Sequence, residues 1–157
     1  MSATEKRADP SEPAAERRDA IRHLARATLA ELSAAWEAIA DKPEVAPVRG
    51  PETGLVMVRG RIGGGGDPFN LGEATVTRAT VRLSGGEIGH GQLLGTDKER
   101  ARYAAIFDAL FQSPAHRPAV KALQRQIAAR LLAEERRKAE ETAATRVDFF
   151  TMVRGED

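Results

Sequence analysis

The hydrophobic period changes twice along this chain, and the two changes bracket a segment that cannot continue the helices on either side. Across residues 14–40 the positions Ile21, Leu24, Thr28, Leu32, Trp36 and Ile39 recur at steps of three and four. That spacing lays one stripe along a helix. Pro43 and Pro47 end it, because proline has no N–H to donate and crowds the preceding turn. Between residues 48 and 95 the period shortens. Residues 55–62, 74–83 and 88–94 are short β-prone runs separated by Gly-rich turns, and Gly85-Gly86 signals a two-residue hairpin. Thr96 and Glu99 then have capping-box spacing, and Tyr103, Ile106, Phe107, Leu110 and Phe111 follow on one helical face. Ser113-Pro114 and Pro118 allow a break before a second stripe of Val120, Leu123, Ile127 and Leu131. The expected fold is α+β: an N-terminal helix, an antiparallel β-meander, two C-terminal helices and an extended C-terminal arm. A chain of 157 residues suits one domain. The expected organisation is a disordered leader over 1–13, a single α+β domain over 14–144, and an assembly arm or strand over 145–157.

The arm carries unusual apolar weight. Two of the five Phe and one of the three Met fall in it, directly after a polar run over 133–144. In an extended strand Val147, Phe149, Thr151 and Val153 point to one side and Asp148, Phe150, Met152 and Arg154 to the other. Both sides then carry apolar groups. The segment reads either as a last strand of the protein's own sheet or as an arm that adds to another subunit. Aromatics are only 4% of the chain, which adds weight to Phe149 and Phe150 as anchors; Val147, Phe149, Phe150, Met152 and Arg154 are the expected partner-binding residues.

Charge and composition narrow the function classes. With 24 basic against 23 acidic side chains the formal net charge is +1, so no bulk field favours nucleic acid or a membrane surface. No run of 18 apolar residues exists and the N-terminus has no apolar signal core. A cytoplasmic protein is expected. Cysteine is absent, which excludes a disulfide framework, a thiolate zinc site, a catalytic thiol and a Cys-ligated iron–sulfur cluster within this chain.

The candidate site residues form no complete catalytic constellation. Gly63, Gly64, Gly65 and Gly66 are followed by Asp67-Pro68 and a strand, whereas a phosphate loop needs Gly-Lys-Ser/Thr and a helix N-terminus. The run reads as a flexible turn or as an anion-binding nest. Arg59 and Arg61 share one strand face, Arg78 and Arg82 another, and a suitable register makes a four-guanidinium patch for phosphate or phosphonate oxygens; the alternative is ordinary pairing with Glu52, Glu73 or Glu87. Asn70 and Glu73 can orient a ligand or magnesium but are too few for a metal site. His90 lies between Gly89 and Gly91, where bare backbone would admit a substrate; a strand-end His with a backbone partner is the plainer reading. His23, His90 and His116 have no metal-ligand spacing, and Ser33, Ser84 and Ser113 lack a nucleophile elbow.

Several segments together carry a resemblance. ETGLVMVRGRIGGGG over 52–66, PFNLGE over 68–73, TVTR over 75–78, LGTDK over 94–98 and RVDFFTMVRGED over 146–157 resemble, in order, the G-subunit family of the bacterial carbon–phosphorus lyase system. They span roughly the last two-thirds of the chain. The family's loop commonly reads Leu-Gly-Arg-Asp-Lys, and Thr96 takes the Arg place here, so no role of that Arg carries over. The resemblance implies a subunit that acts with H, I and L subunits to make α-D-ribose 1-methylphosphonate 5-triphosphate from MgATP and methylphosphonate, releasing adenine. It implies the J subunit as a further partner, neither nucleic acid nor membrane as one, and no cofactor held by this chain alone, MgATP being a substrate of the complex. The iron–sulfur chemistry of later carbon–phosphorus cleavage must then sit on another subunit. No catalytic residue carries over from the family. The alternatives are an independent small nucleotide-processing enzyme, centred on the Arg patch and His90, and a purely architectural adaptor.

Overall fold

The computed structural model describes residues 12–144. Helices α1 (Glu12–Leu24) and α2 (Leu29–Glu37) precede strands β1 (Val45–Arg61), β2 (Pro68–Leu83) and β3 (Ile88–Leu94); α3 (Lys98–Gln112) and α4 (Arg117–Ala144) follow. The strands form one antiparallel sheet in the order β1-β2-β3. This is the expected α+β meander with helices on one side. The leader over 1–13 falls mostly, and the arm over 145–157 wholly, outside the described residues.

The N-terminal helix differs from expectation, because it is two helices. Thr28 is a stripe position by spacing, yet its extended backbone caps α2: the hydroxyl accepts from Glu31 N–H at 3.2 Å and the Glu31 carboxylate accepts from Thr28 N–H at 2.8 Å. This reciprocal box satisfies two amides that a helix start leaves unpaired. The box expected at Thr96 does not form. Asp97 caps α3 instead, accepting from Arg100 N–H at 2.9 Å. The hairpin between β2 and β3 is also longer than two residues, with Leu83 N–H donating to Glu87 O and Gly86 at φ 96°. That left-handed glycine gives the bulged turn its hand.

Helix α3 is the centre of the molecule, and every residue from Ala104 to Phe111 is buried. It lies between the sheet, which it meets along β2 and β3, and the other three helices. Leu24 and Leu32 come to it from α1 and α2, and Val120 and Ile127 from α4. One carboxylate interrupts this core. Asp108 is 1% exposed and accepts from Arg17 Nε and Nη2, each at 2.8 Å, and from the His90 backbone N–H at 2.8 Å. A buried charge survives only with such a full set of donors, so α1, α3 and β3 are tied through one side chain.

A second ionic tie joins α2 to α4. Glu31 accepts from Arg130 Nε at 2.7 Å, and Arg130 also donates to Glu134 and to the Arg26 carbonyl. Burial alone would raise the Glu31 carboxyl, but the hydrogen bonds from Arg130 and Thr28 together outweigh it and hold the group below its usual value. A depressed carboxyl adds stability that is present above its unfolded value of 4.5 and is lost as pH falls through the folded one. Urea midpoints measured below pH 4.5 should therefore fall more steeply with acid in the wild type than in Glu31→Gln; equal slopes would remove this pair from the acid response.

The first two strands are longer than expected. β1 begins at Val45 and runs through Pro47 and Pro51, which an edge strand tolerates because its outward N–H positions need no partner. At the other end β3 stops at Leu94, opposite Val76, while β1 and β2 continue from the Leu55–Thr75 pair to the Arg61–Pro68 pair. The result is a two-stranded ribbon, seven pairs long, about 23 Å at the usual rise. Thr77 pins its base, donating to Gly95 O at 2.7 Å and lying 3.0 Å from the Thr53 hydroxyl.

Candidate functional site

Helix α3 covers one face of the sheet and leaves the other open. Thr77, Ala79, Val81 and Leu83 are buried on the covered face, so strand alternation turns Arg78, Thr80 and Arg82 outward. Register brings Glu52 and Gln92 beside Arg78, Arg49 and His90 beside Thr80, and Ile88 beside Arg82. Arg78, Arg82 and His90 therefore share one solvent-facing surface. Glu52 accepts from Arg78 Nε at 2.5 Å and lies 2.9 Å from Arg49 Nη2. The Arg78 hydrogen bond above all, with the Arg49 charge, holds the Glu52 carboxyl below its usual range. In such an exposed setting the pairs orient side chains more than they stabilise the fold. His90 Nδ1 lies 3.2 Å from the Thr80 hydroxyl, and Arg82 makes no ion pair among the described residues.

The four-guanidinium patch does not assemble within this chain. Arg59 and Arg61 are an even number of residues from Thr53 and share its face, on which its partner Thr77 is covered, whereas Arg78 pairs with Glu52 on the open one. The two arginine pairs thus point to opposite sides. They are also far apart, since Arg59 lies opposite Asn70, eight residues and about 26 Å along β2 from Arg78. The outcome turned on register, which two separate strands do not encode by themselves.

The glycines beside His90 serve packing, which corrects the substrate-approach reading. A Cβ at Gly89 would overlap the Ala105 carbonyl oxygen, and one at Gly91 the Ala101 carbonyl oxygen. Their bare side is filled by the backbone of α3, while the His90 ring points the other way, into solvent. Gly63, Gly64, Gly65 and Gly66 turn the chain at the ribbon's tip. Gly63 (φ 61°) and Gly64 (φ 77°) take left-handed conformations there, and Gly66 N–H donates to Ile62 O at 3.0 Å. Asn70 and Glu73 lie on the exposed ribbon opposite Arg59 and Met57, and no group of three His, Cys, Asp or Glu that could hold a metal occurs among the described residues. A groove of about 340 Å³ between α1 and α4 contains Asp19, His23 and Gln124, but Gln124 donates to Asp19 Oδ2 at 2.5 Å, so these groups largely answer one another.

Two features escaped sequence reasoning although each left a signal. Asp108 is the lone charge in the run Ile106-Phe107-Asp108-Ala109-Leu110-Phe111. Leu55, Val56, Met57 and Val58 are four consecutive apolar residues, so both faces of that strand carry apolar groups, as in the C-terminal arm. The arm residues Val147, Phe149, Phe150, Met152 and Arg154 lie outside the described residues.

The comparisons agree with the resemblance in the motifs. The family model described as "Phosphonate metabolism protein PhnG" matches residues 15–155. A protein of Rhizobium meliloti (strain 1021), named "Alpha-D-ribose 1-methylphosphonate 5-triphosphate synthase subunit PhnG", is 83% identical over 143 residues. That match covers 91% of this chain and 92% of the relative.

Proposed function

This chain belongs to the PhnG family of phosphonate metabolism proteins, and on that premise we propose that it works as a subunit of α-D-ribose 1-methylphosphonate 5-triphosphate synthase. The observation that carries this reading is 83% identity along nearly the whole of both chains. The reaction joins a methylphosphonate oxygen to the anomeric carbon of MgATP's ribose while the bond from that carbon to adenine breaks, so adenine leaves as the free base. Assembly with H, I and L subunits, and with J for later carbon–phosphorus cleavage, is part of the proposal. So are cytoplasmic residence and the absence of any cofactor bound by this chain alone. No helix among the described residues is long and apolar enough to cross a membrane.

The geometry favours a supporting role over independent catalysis. The described residues bring no nucleophile, base and orienting group together, and the arginines divide between two faces. Of the ligand-contact candidates, Arg78, Arg82 and His90 share the open sheet face, and we assign any contact with substrate phosphates to that face. Val147, Phe149, Phe150, Met152 and Arg154 are proposed as a partner contact; a chain ending at Ala144 should pull down less of the other subunits, and undiminished capture would refute that role.

Adenine release measured with MgATP and methylphosphonate tests the function. The other synthase subunits without this chain should fall to background, and adding it should restore the rate. An Arg82→Ala chain should assemble normally yet raise the KM for MgATP. Adenine release by the isolated chain would instead establish an independent enzyme, and full activity without the chain would exclude it from the synthase.

A further inference from the structure

We propose that the projecting β1–β2 ribbon inserts into an apolar cleft of a different subunit of the synthase, an inference that rests on the heteromeric reading above. A two-stranded hairpin with no covering layer is marginal in water, yet this one bears apolar groups on both faces. Leu55 and Met57, 63% and 55% exposed, continue the face that α3 covers in the body of the sheet. Val56 and Val58 stand on the other face, with Phe69 opposite Gly60 and Leu71 packed against Gly60. Together with Ile62 at the tip, 75% exposed, these side chains leave both faces and the end of the ribbon apolar and uncovered by any other described residue.

The faces and the charges identify the occupant. A second copy pairing along the outer edge of β1, or an arm adding as one more strand, would satisfy a free edge and leave both apolar faces in water. A cleft with two apolar walls covers both. Arg59 and Arg61 lie on the Leu55 and Met57 side near the tip, and neither has an ion pair among the described residues; Arg61 donates only to Gly66 O, at 3.3 Å. The wall that meets this side therefore carries carboxylates at its inner end, because guanidiniums taken out of water need partners. The outer edge of β1 is blunted by Pro47 and Pro51 but has no proline from Gly54 to Gly60, which leaves main-chain groups free for a strand at the cleft's lip.

Full-length chains co-expressed with the remaining synthase subunits test this. Leu55→Lys with Met57→Lys, Val56→Lys with Val58→Lys, and Arg59→Glu should each weaken association, the two double variants by at least about 30-fold, as loss of interface anchors does. Circular dichroism and melting of the free variants should match the wild type. In wild-type protein, amide exchange over 55–60 and 69–74 should slow on assembly, a readout that needs no variant. Normal association of the variants, with ribbon amides exchanging as in the free chain, overturns the inference and leaves the subunit reading intact. A wild-type chain that joins no synthase subunit overturns both. A concentration-dependent dimer of the chain alone, abolished by Leu55→Lys, would assign the ribbon to a second copy and overturn the cleft.

Discussion

Gly91→Val is expected to destabilise the protein by more than about 3 kcal/mol, at or beyond the upper end of ordinary overpacking. A Cβ at this position would overlap the Ala101 carbonyl oxygen and sit 2.7 Å from the Ala105 nitrogen. Both obstacles are main-chain atoms of a helix held between the sheet and the other helices, so no rotamer change relieves the clash. Helix α3 would have to lift from β3, opening the contacts that Ala101, Ala105 and Ala109 make with the sheet. A domain with a total margin of about 5–15 kcal/mol loses much of its stability in this way. Gly89→Val meets the Ala105 oxygen and Ala109 and should behave alike, whereas the same change at Gly50, where a Cβ meets nothing within 4 Å, should be mild. Urea unfolding followed by far-ultraviolet circular dichroism measures the difference. A Gly91→Val midpoint equal to that of Gly50→Val would show that the helix does not pack so closely on the strand.

The other large effect is at Asp108. Asp108→Ala should cost about 3–5 kcal/mol, the range for breaking a buried ion pair from one side. The substitution strips Arg17 of both carboxylate contacts and leaves the His90 N–H without its acceptor in a closed interior. Asp108→Asn should fall between, since an amide oxygen can still accept from His90 while the charge that holds Arg17 is gone. Arg17→Ala should also destabilise, because it leaves the carboxylate buried with one donor. A double-mutant cycle of Asp108→Asn and Arg17→Ala then gives a coupling well above the error of additive sites. Coupling near zero would mean that Arg17, whose side chain is 33% exposed, pairs with water as readily as with Asp108. The effect reaches the open face too, because the carboxylate fixes the backbone of His90 and thereby the strand that carries its ring.

How much of this was legible beforehand depended on the range of the interaction concerned. The α+β order was legible because period, prolines and glycines act within a few residues, and the helical stripes of α3 and α4 stand where their spacing places them. The start of α2 was equally local, as Thr28 and Glu31 form a capping box by spacing alone, but Thr28 also fitted the apolar stripe. The competing signals were both present, and hydrogen bonding to the first-turn amides won. Family membership was legible in the motifs over 52–98 and at the C-terminus, independently of any contact.

What the chain by itself could not disclose was which side of the sheet each strand residue faces. Side chains alternate with period two, so facing depends on register, and a shift of one residue exchanges the two faces. That is why Arg59 and Arg61 parted from Arg78 and Arg82, and why the glycines around His90 proved to seat a helix. The same applies to the ribbon. Leu55 to Val58 read as a strand from sequence, but their exposure follows from the end of β3 at Leu94, opposite Val76. Local propensity made the strands, whereas the length of a neighbour and the seat of α3 decided what each residue in them is free to touch.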